Sequence, residues 1–132
     1  MTQQADKVSW FEMPADDMAR VSEFYNDVFG WATPPMGKDA KFALTVKADD
    51  NGNPVEVGGI NGGFHKRQGT SDAGPVINIY VEDIDAKLKA VEAAGGRIIQ
   101  PRTDIAEYDL SMALFSDTEG NIMGIYSHSK AK

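Results

Sequence analysis

The chain has 132 residues, 42% of them hydrophobic and 25% charged, with no cysteine and a formal net charge of −7. That length makes one ordinary domain, or two small halves sharing a core, and the composition is globular rather than disordered. Disulfides, thiolate metal sites and cysteine nucleophiles are excluded. The densest basic cluster is His65-Lys66-Arg67, too small for a nucleic-acid partner, and the acidic balance mainly favours solubility.

No apolar run approaches the ~20 residues needed to span a bilayer, so no membrane partner is expected. The first residues lack the apolar stretch behind a positive end that marks a signal peptide. The expected location is cytoplasmic.

Residues 1–7 read as a flexible N-terminus. Residues 8–13, Val-Ser-Trp-Phe-Glu-Met, are rich in aromatic and apolar side chains and read as a strand, stopped by Pro14. Asp16 or Asp17 can cap the helix that follows. Met18, Val21, Tyr25 and Val28 share one stripe at helical spacing, and Gly30 stands where a left-handed cap residue is wanted. Residues 31–37 read as an edge strand spoiled by Pro34 and Pro35, and residues 41–48 as a clearer strand. A turn over 49–53 leads to a returning strand over 56–64. Its Gly58-Gly59 and Gly62-Gly63 pairs mean either a weak, bent strand or the close approach of another backbone or a ligand.

After a connector over 65–74 the order recurs. Residues 76–81 form a strand, and Asp83 caps a helix with Ile84, Leu88, Val91 and Ala94 on its buried stripe, ended by Gly95-Gly96. Residues 97–100 form a strand cut by Pro101, 111–116 another, and Asp117-Thr118-Glu119-Gly120-Asn121 turns into a last strand over 122–126. Adding 66 puts Trp10 on Val76, Met18 on Ile84, Tyr25 on Val91 and Val28 on Ala94. In-phase recurrence across strand and helix marks an internal repeat. The expected organisation is therefore a first β-α-β-β-β module over 8–64, the connector 65–74, a second β-α-β-β-β module over 75–127 and a flexible C-terminus over 128–132. Each module has a sheet covered on one face by its helix and bare on the other. The bare face must be buried against something, and two modules can curl theirs into a shared cup. The expected class is α+β, a curved mixed sheet forming a cup or half-barrel with helices on the outer face.

The words Phe24-Tyr25 before Phe29-Gly30-Trp31, Val81-Glu82-Asp83-Ile84-Asp85-Ala86, Ala93-Ala94-Gly95-Gly96 and Asp117-Thr118-Glu119-Gly120-Asn121, in this order, resemble the vicinal oxygen chelate superfamily. That group holds glyoxalase I, the bleomycin-resistance proteins, extradiol dioxygenases and glyoxalase-like relatives. The likeness spans residues 8–126. It speaks for the fold and poorly for the reaction, because one fold hosts many chemistries. In metal-dependent members, His or Glu ligands come from the cup face of the first and last strand of each half. Carried over, these positions fall on Trp10, near Gly59, on Val76 and on Gly124, none of which ligates a cation through its side chain. The resemblance thus implies a member without a metal, and no cofactor is expected. A shifted site built from Glu56, His65, His128 and Glu12 is the competing arrangement. Because the family often pairs chains, a homodimer is expected.

Strand alternation sorts the faces. Phe11 and Met13, then Ile77, Ile79 and Val81, then Met123 and Ile125, should pack beneath the helices. The opposite wall carries Trp10, Glu12, Asn61, Asn78, Tyr80 and Tyr126, aromatic surface with a few polar groups, as small-molecule pockets tend to be lined. These six are the candidate ligand-binding residues, and Glu12 is a weak candidate general base. Three readings follow. The first is a glyoxalase-like or bleomycin-resistance-like protein holding a small organic molecule, whether it sequesters the molecule or acts on it. The second is a metal-dependent lyase or isomerase of the glyoxalase I (lactoylglutathione lyase) kind with a shifted metal site. The third is a non-catalytic interaction module whose barrel is filled by its own side chains.

Overall fold

The computed structural model describes residues 5–51, 53, 55, 58–69, 72 and 74–128. They fall into two compact units, one of residues Trp10–Pro75 and one of the residues up to Ser9 together with those from Val76 onward. Among the described residues two helices and seven strands, paired both parallel and antiparallel, make an α+β fold.

Strand β1 (Val8–Ala15), part of the first unit from Trp10 on, leads to helix α1 (Met18–Phe29) and then to β2 (Ala40–Ala43) and β3 (Gly62–Lys66), in the spatial order β2-β3-β1. Asp17 caps α1, its carboxylate accepting from the Arg20 amide at 2.9 Å, and Gly30 closes the helix at φ 75°. A residue with a β-carbon is strained there. Strand β3 runs parallel to β1 and antiparallel to β2. Phe64 and Ala43 are fully buried and Ala15 nearly so. The Tyr25 ring of α1 lies 5.6 Å from that of Phe64, and Phe11 lies 5.8 Å from Trp31. The helix therefore covers the Phe11–Phe64 face, as alternation requires.

In the second unit, β4 (Val76–Tyr80), α2 (Ile84–Ala93), β5 (Arg97–Ile105), a 3-10 turn (Ala106–Tyr108), β6 (Leu110–Ser116) and β7 (Ile122–His128) follow one another, with strands ordered β4-β7-β6-β5. The core is Val81, Ile84, Leu88, Ala113 and Ile125, with Ile79, Ile98 and Phe115 against it. Ile77 departs from the alternation reading: 45% of it is exposed, although it shares the helix-side face. The chain ahead of β1 is held in this unit. The Lys7 carbonyl accepts from the Tyr80 amide at 3.0 Å, and Asp6 pairs with Lys87 at 2.8 Å.

Several strands differ from their sequence patterns: β1 runs through Pro14 to Ala15, and β2 ends at Ala43 rather than 48. Residues 31–37 form no strand, only isolated antiparallel bridges from Ala32 to Leu44 and from Pro35 to Lys41, since two successive prolines offer no N–H to a ladder. Pro101 does not cut β5. The strand continues through it with register shifts on both sides of Gln100, and within this unit β5 pairs with β6 alone, so the missing N–H is not needed. The glycine-rich strand starts at Gly62 rather than 56 and runs on to Lys66. Glu56 and Val57 lie outside the described residues.

The repeat is visible in the caps. Asp83 accepts from the Ala86 amide at 3.0 Å as Asp17 does from Arg20, 66 positions away. The helix ends are less alike. Gly95, at φ 101°, takes the left-handed position one residue before the counterpart of Gly30.

Candidate functional site

The face of the first unit opposite α1 is set by register. Glu12 on β1 stands beside Gly63 on β3, which stands beside Phe42 on β2, and Pro14 stands beside His65. Trp10 is two residues before Glu12 and so shares its side. Trp10 Nε1–H donates to Glu12 Oε2 at 2.6 Å, and the other carboxylate oxygen, Oε1, lies 3.1 Å from His65 Nδ1. His65 Nε2 lies 2.8 Å from Asp72 Oδ2. Asp72 is anchored in its turn: its Oδ2 also accepts from the Gln68 amide at 3.0 Å and its carbonyl from Arg67 Nη1 at 2.7 Å. Arg67 is tied to Asp16 through Nε at 2.9 Å. Phe42 meets the Trp10 indole edge-on at 6.2 Å.

The result is a line, Trp10–Glu12–His65–Asp72, across one aromatic sheet face. Both His65 nitrogens meet carboxylates. A neutral imidazole has only one N–H, which would leave a lone pair against an anion. The His65 pKa is accordingly raised from its ordinary 6.5, first by the hydrogen bond to Glu12; burial pulls it down, and Asp72 adds to the rise. Glycine at 63 is part of the construction, because a β-carbon there would come within 3.1 Å of Glu12 Oε2 and 3.2 Å of Met36 Cε.

The second unit repeats this device with other chemistry. Asn78 on β4 stands beside Gly124 on β7, and Tyr80 beside Tyr126. Asn78 is 66 positions after Glu12, and each stands beside a glycine of its parallel neighbour, Gly124 and Gly63. In both halves a polar side chain on the first strand lies over a glycine on the last. Asn78 is buried, its amide gives a 3.3 Å bond to the Val76 carbonyl, and its Oδ1 fills the space a β-carbon on Gly124 would take. Tyr80, Tyr126 and His128 form an aromatic group, with Tyr80 and Tyr126 edge-to-face at 5.4 Å and both rings near His128. Tyr126 Oη and Ser9 Oγ are 2.6 Å apart. Ser9 and Tyr80, with Lys7, Glu82 and Lys87, line an open groove of about 630 Å³ along the start of α2.

Of the six expected binding residues, Trp10 and Glu12 meet in the first unit, and Tyr80 and Tyr126 meet in the second above buried Asn78. Asn61 is committed elsewhere: its Oδ1 accepts the Thr45 and Val46 amides at 2.8 and 3.1 Å, which stitches the chain after β2 to the start of β3. His65 entered the sequence reading only as a metal alternative, and Asp72 not at all. Placing the end of β3 at Phe64 put His65 in a loop, whereas the strand carries it to the side of Glu12.

The donor set bears on the metal that many relatives use. Two family positions are glycine and the others are Trp10 and Val76. Glu12 has one oxygen on an indole N–H and the other on His65, whose nitrogens are both engaged. Among the described residues no three His, Asp or Glu side chains converge as a cation would need. Glu56 of the shifted arrangement lies outside the described residues. Among the described residues this donor set is already spent on hydrogen bonds within the protein.

Comparison with known proteins agrees with this architecture. The glyoxalase-like domain family matches residues 10–125. A glyoxylase-like domain-containing protein of Didymella fabae is 28% identical over 90% of this chain and 91% of its own length. The anthracycline biosynthesis protein DnrV of Streptomyces peucetius is 27% identical over 89% of this chain, which spans 46% of DnrV. Among solved structures, methylmalonyl-CoA epimerase of Mycobacterium tuberculosis superposes with a TM-score of 0.64 at 13% identity, covering 93% of this chain and 88% of the epimerase. The Streptomyces coelicolor epimerase in complex with 2-nitronate-propionyl-CoA gives 0.62 at 14% identity, covering 94% and 97%. The chain has the vicinal oxygen chelate fold and belongs to the glyoxalase-like domain family.

Proposed function

We propose that this glyoxalase-like protein binds a small organic molecule without a metal ion, on the sheet face that carries Trp10 and Glu12. One observation carries the reading: Trp10, Glu12 and His65 are hydrogen-bonded to each other beside Phe42 while remaining partly accessible, the side chains of His65 and Glu12 being 29% and 30% exposed. Aromatic surface with a few fixed polar groups is what recognition of a small molecule requires. A filled interior would have sealed these groups away. The names of the relatives, one in anthracycline biosynthesis and one an epimerase complexed with an acyl-CoA compound, belong to proteins that handle small organic molecules. In the second unit Tyr80 and Tyr126 are proposed as ligand-contacting residues of that unit's own sheet face, with buried Asn78 in its wall, and Asn61 supports the strand. The setting is proposed to be cytoplasmic.

The test uses Trp10 fluorescence in a Trp31→Phe background, which removes the second indole. Titration with panels of aromatic and acyl compounds is expected to give saturable quenching, and the affinity of a ligand so found, measured by calorimetry, is expected to fall at least about tenfold in Trp10→Ala. A Trp10→Ala protein that keeps full affinity for a ligand so found overturns the assignment of this face. Stoichiometric retention of Zn²⁺, Ni²⁺ or Mn²⁺ after dialysis overturns the metal-free part and favours a lyase or isomerase.

A homodimer is proposed as well. Helix α1 exposes Phe24, Val28 and Phe29 at 53%, 57% and 61%. Large apolar side chains adjacent on one helix are a surface that association covers.

A further inference from the structure

The two ends of the His65 line are not equivalent. At the Asp72 end the carboxylate also holds a backbone amide, and Arg67 fixes its main chain. The imidazole contact there is 2.8 Å. At the Glu12 end the contact is 3.1 Å, and both side chains are partly exposed. Glu12 Oε2 is taken by the Trp10 indole, so Oε1 is the oxygen free to exchange partners.

The charged groups around His65 are few. From β1 comes Glu12, and from the turn after β3 comes Asp72. Arg67 is spent on Asp16 and on the Asp72 carbonyl. Lys41 of β2 stands beside Phe64, on the helix side of the sheet, and donates to Ser22 at 3.3 Å. Lys66, next to His65 in β3, alternates to that same side. Among the described residues the face thus holds the Glu12 and Asp72 carboxylates and the His65 imidazole beside the Trp10 indole.

We propose that the ligand of this face is an organic cation, a protonated amine carried on a flat ring, and that the His65 imidazolium is its internal competitor. The inference rests on the binding reading above and names the ligand class and its control. With His65 protonated, Glu12 Oε1 is satisfied and an ammonium is repelled by a like charge a few ångströms away. When His65 gives up its proton to solvent, the line carries one more net negative charge. Glu12 then gains more from an ammonium than from a neutral imidazole. The ring lies on Trp10, where a cation is also attracted to the indole face. No covalent step is involved.

Three probes with one ring isolate the charge: tryptamine, 3-methylindole and indole-3-acetate. An alkylammonium keeps its charge to about pH 10, so between about pH 5 and about pH 9 only the protein changes for tryptamine and for the uncharged 3-methylindole. By calorimetry, tryptamine affinity is expected to rise at least about tenfold over that interval, 3-methylindole affinity to stay flat, and indole-3-acetate to bind weakest. In His65→Gln the rise disappears, because no competitor is left to lose its proton. Linkage requires the reverse effect. Saturating tryptamine must lower the His65 pKa read from its ring-proton NMR signal, which is assigned by its loss in the same variant. His128→Gln, which leaves the His65 signal alone, gives the same assignment should His65→Gln not fold.

Tryptamine affinity that is flat with pH, or a His65 pKa unmoved or raised by tryptamine, overturns the cation proposal. Binding of 3-methylindole under those same conditions leaves the small-molecule reading standing. Failure of all three probes together with the wider fluorescence panels overturns both.

Discussion

At the scale of single residues, the strands of both units are built around glycines that admit a neighbour. Gly124 leaves room for the buried Asn78 amide, and Gly62 lies against the Phe11 carbonyl and ring. Alanine at either position overpacks a site, which costs about 1–3 kcal/mol. The two should rank differently. At 124 the obstructing atom ends a side chain that can turn away. At 62 it is backbone of the paired strand β1, which cannot yield without moving the register. Urea unfolding is expected to show Gly62→Ala as the more destabilised, and Asn78→Ala is expected to relieve part of the Gly124→Ala loss, a coupling between touching residues. Equal losses, or no coupling, would remove this account of the glycines.

The sequence made part of this legible. Period-two alternation put Trp10 and Glu12 on one side and Phe11 and Met13 on the other. The glycine pairs signalled close approach without saying to what, since the partner is set by a register between strands about 50 positions apart, Phe11 with Gly62. Asp72 carries no pattern at all, because its role depends on a loop returning to His65 seven residues earlier.

At the scale of elements, the helix starts are the most faithful trace of the repeat. Asp17 and Asp83 each cap a helix by accepting the amide three residues on. Asp83 was readable, since a short acidic residue before an apolar-periodic run has few other uses, whereas the first helix offered Asp16 or Asp17 and the structure selects Asp17. Replacing either with alanine is expected to cost about 1 kcal/mol, with a smaller loss for asparagine, measured by urea or thermal unfolding. Because the caps lie in separate units and share no partners, the double variant should lose close to the sum. A marked departure from additivity would mean that the two helices report on one another.

Strand ends were less legible than helix starts. Pro101 reads as a stop in isolation, yet a strand paired on one side absorbs it with bulges. The residues after α1 read as an edge strand, and with two prolines they supply only bridges. In each case the deciding fact is which edge has a partner, which local propensity does not contain.

At the scale of the whole molecule, the exposed side of α1 and the His65 line set two measurable behaviours. If Phe24, Val28 and Phe29 are covered by a second copy, light scattering should give twice the 14.3 kDa chain mass. Phe29→Glu, at the most exposed of the three, should shift the protein toward monomer with its helical circular dichroism retained. A wild-type monomer at tens of micromolar would dispose of the dimer.

Stability should also carry the signature of His65. Its folded-state pKa lies above the unfolded value of about 6.5, so the folded protein holds a proton that the unfolded chain gives up. The contribution to stability is therefore fully present below about pH 6.5 and is lost as pH rises through the folded pKa. The acidic groups that shift behave in the opposite sense. Asp117, lowered first by its hydrogen bond to the Asn121 side chain and then by amides of its turn, contributes above its unfolded pKa and loses that contribution as pH falls through the folded one. The two effects thus occupy different ends of the scale and can be read separately. Comparing wild type with His65→Gln by urea unfolding, the wild-type advantage should be largest near pH 6 and shrink toward pH 9. An advantage that grows with pH would mean that His65 is held neutral between its two carboxylates, contrary to the geometry of the line.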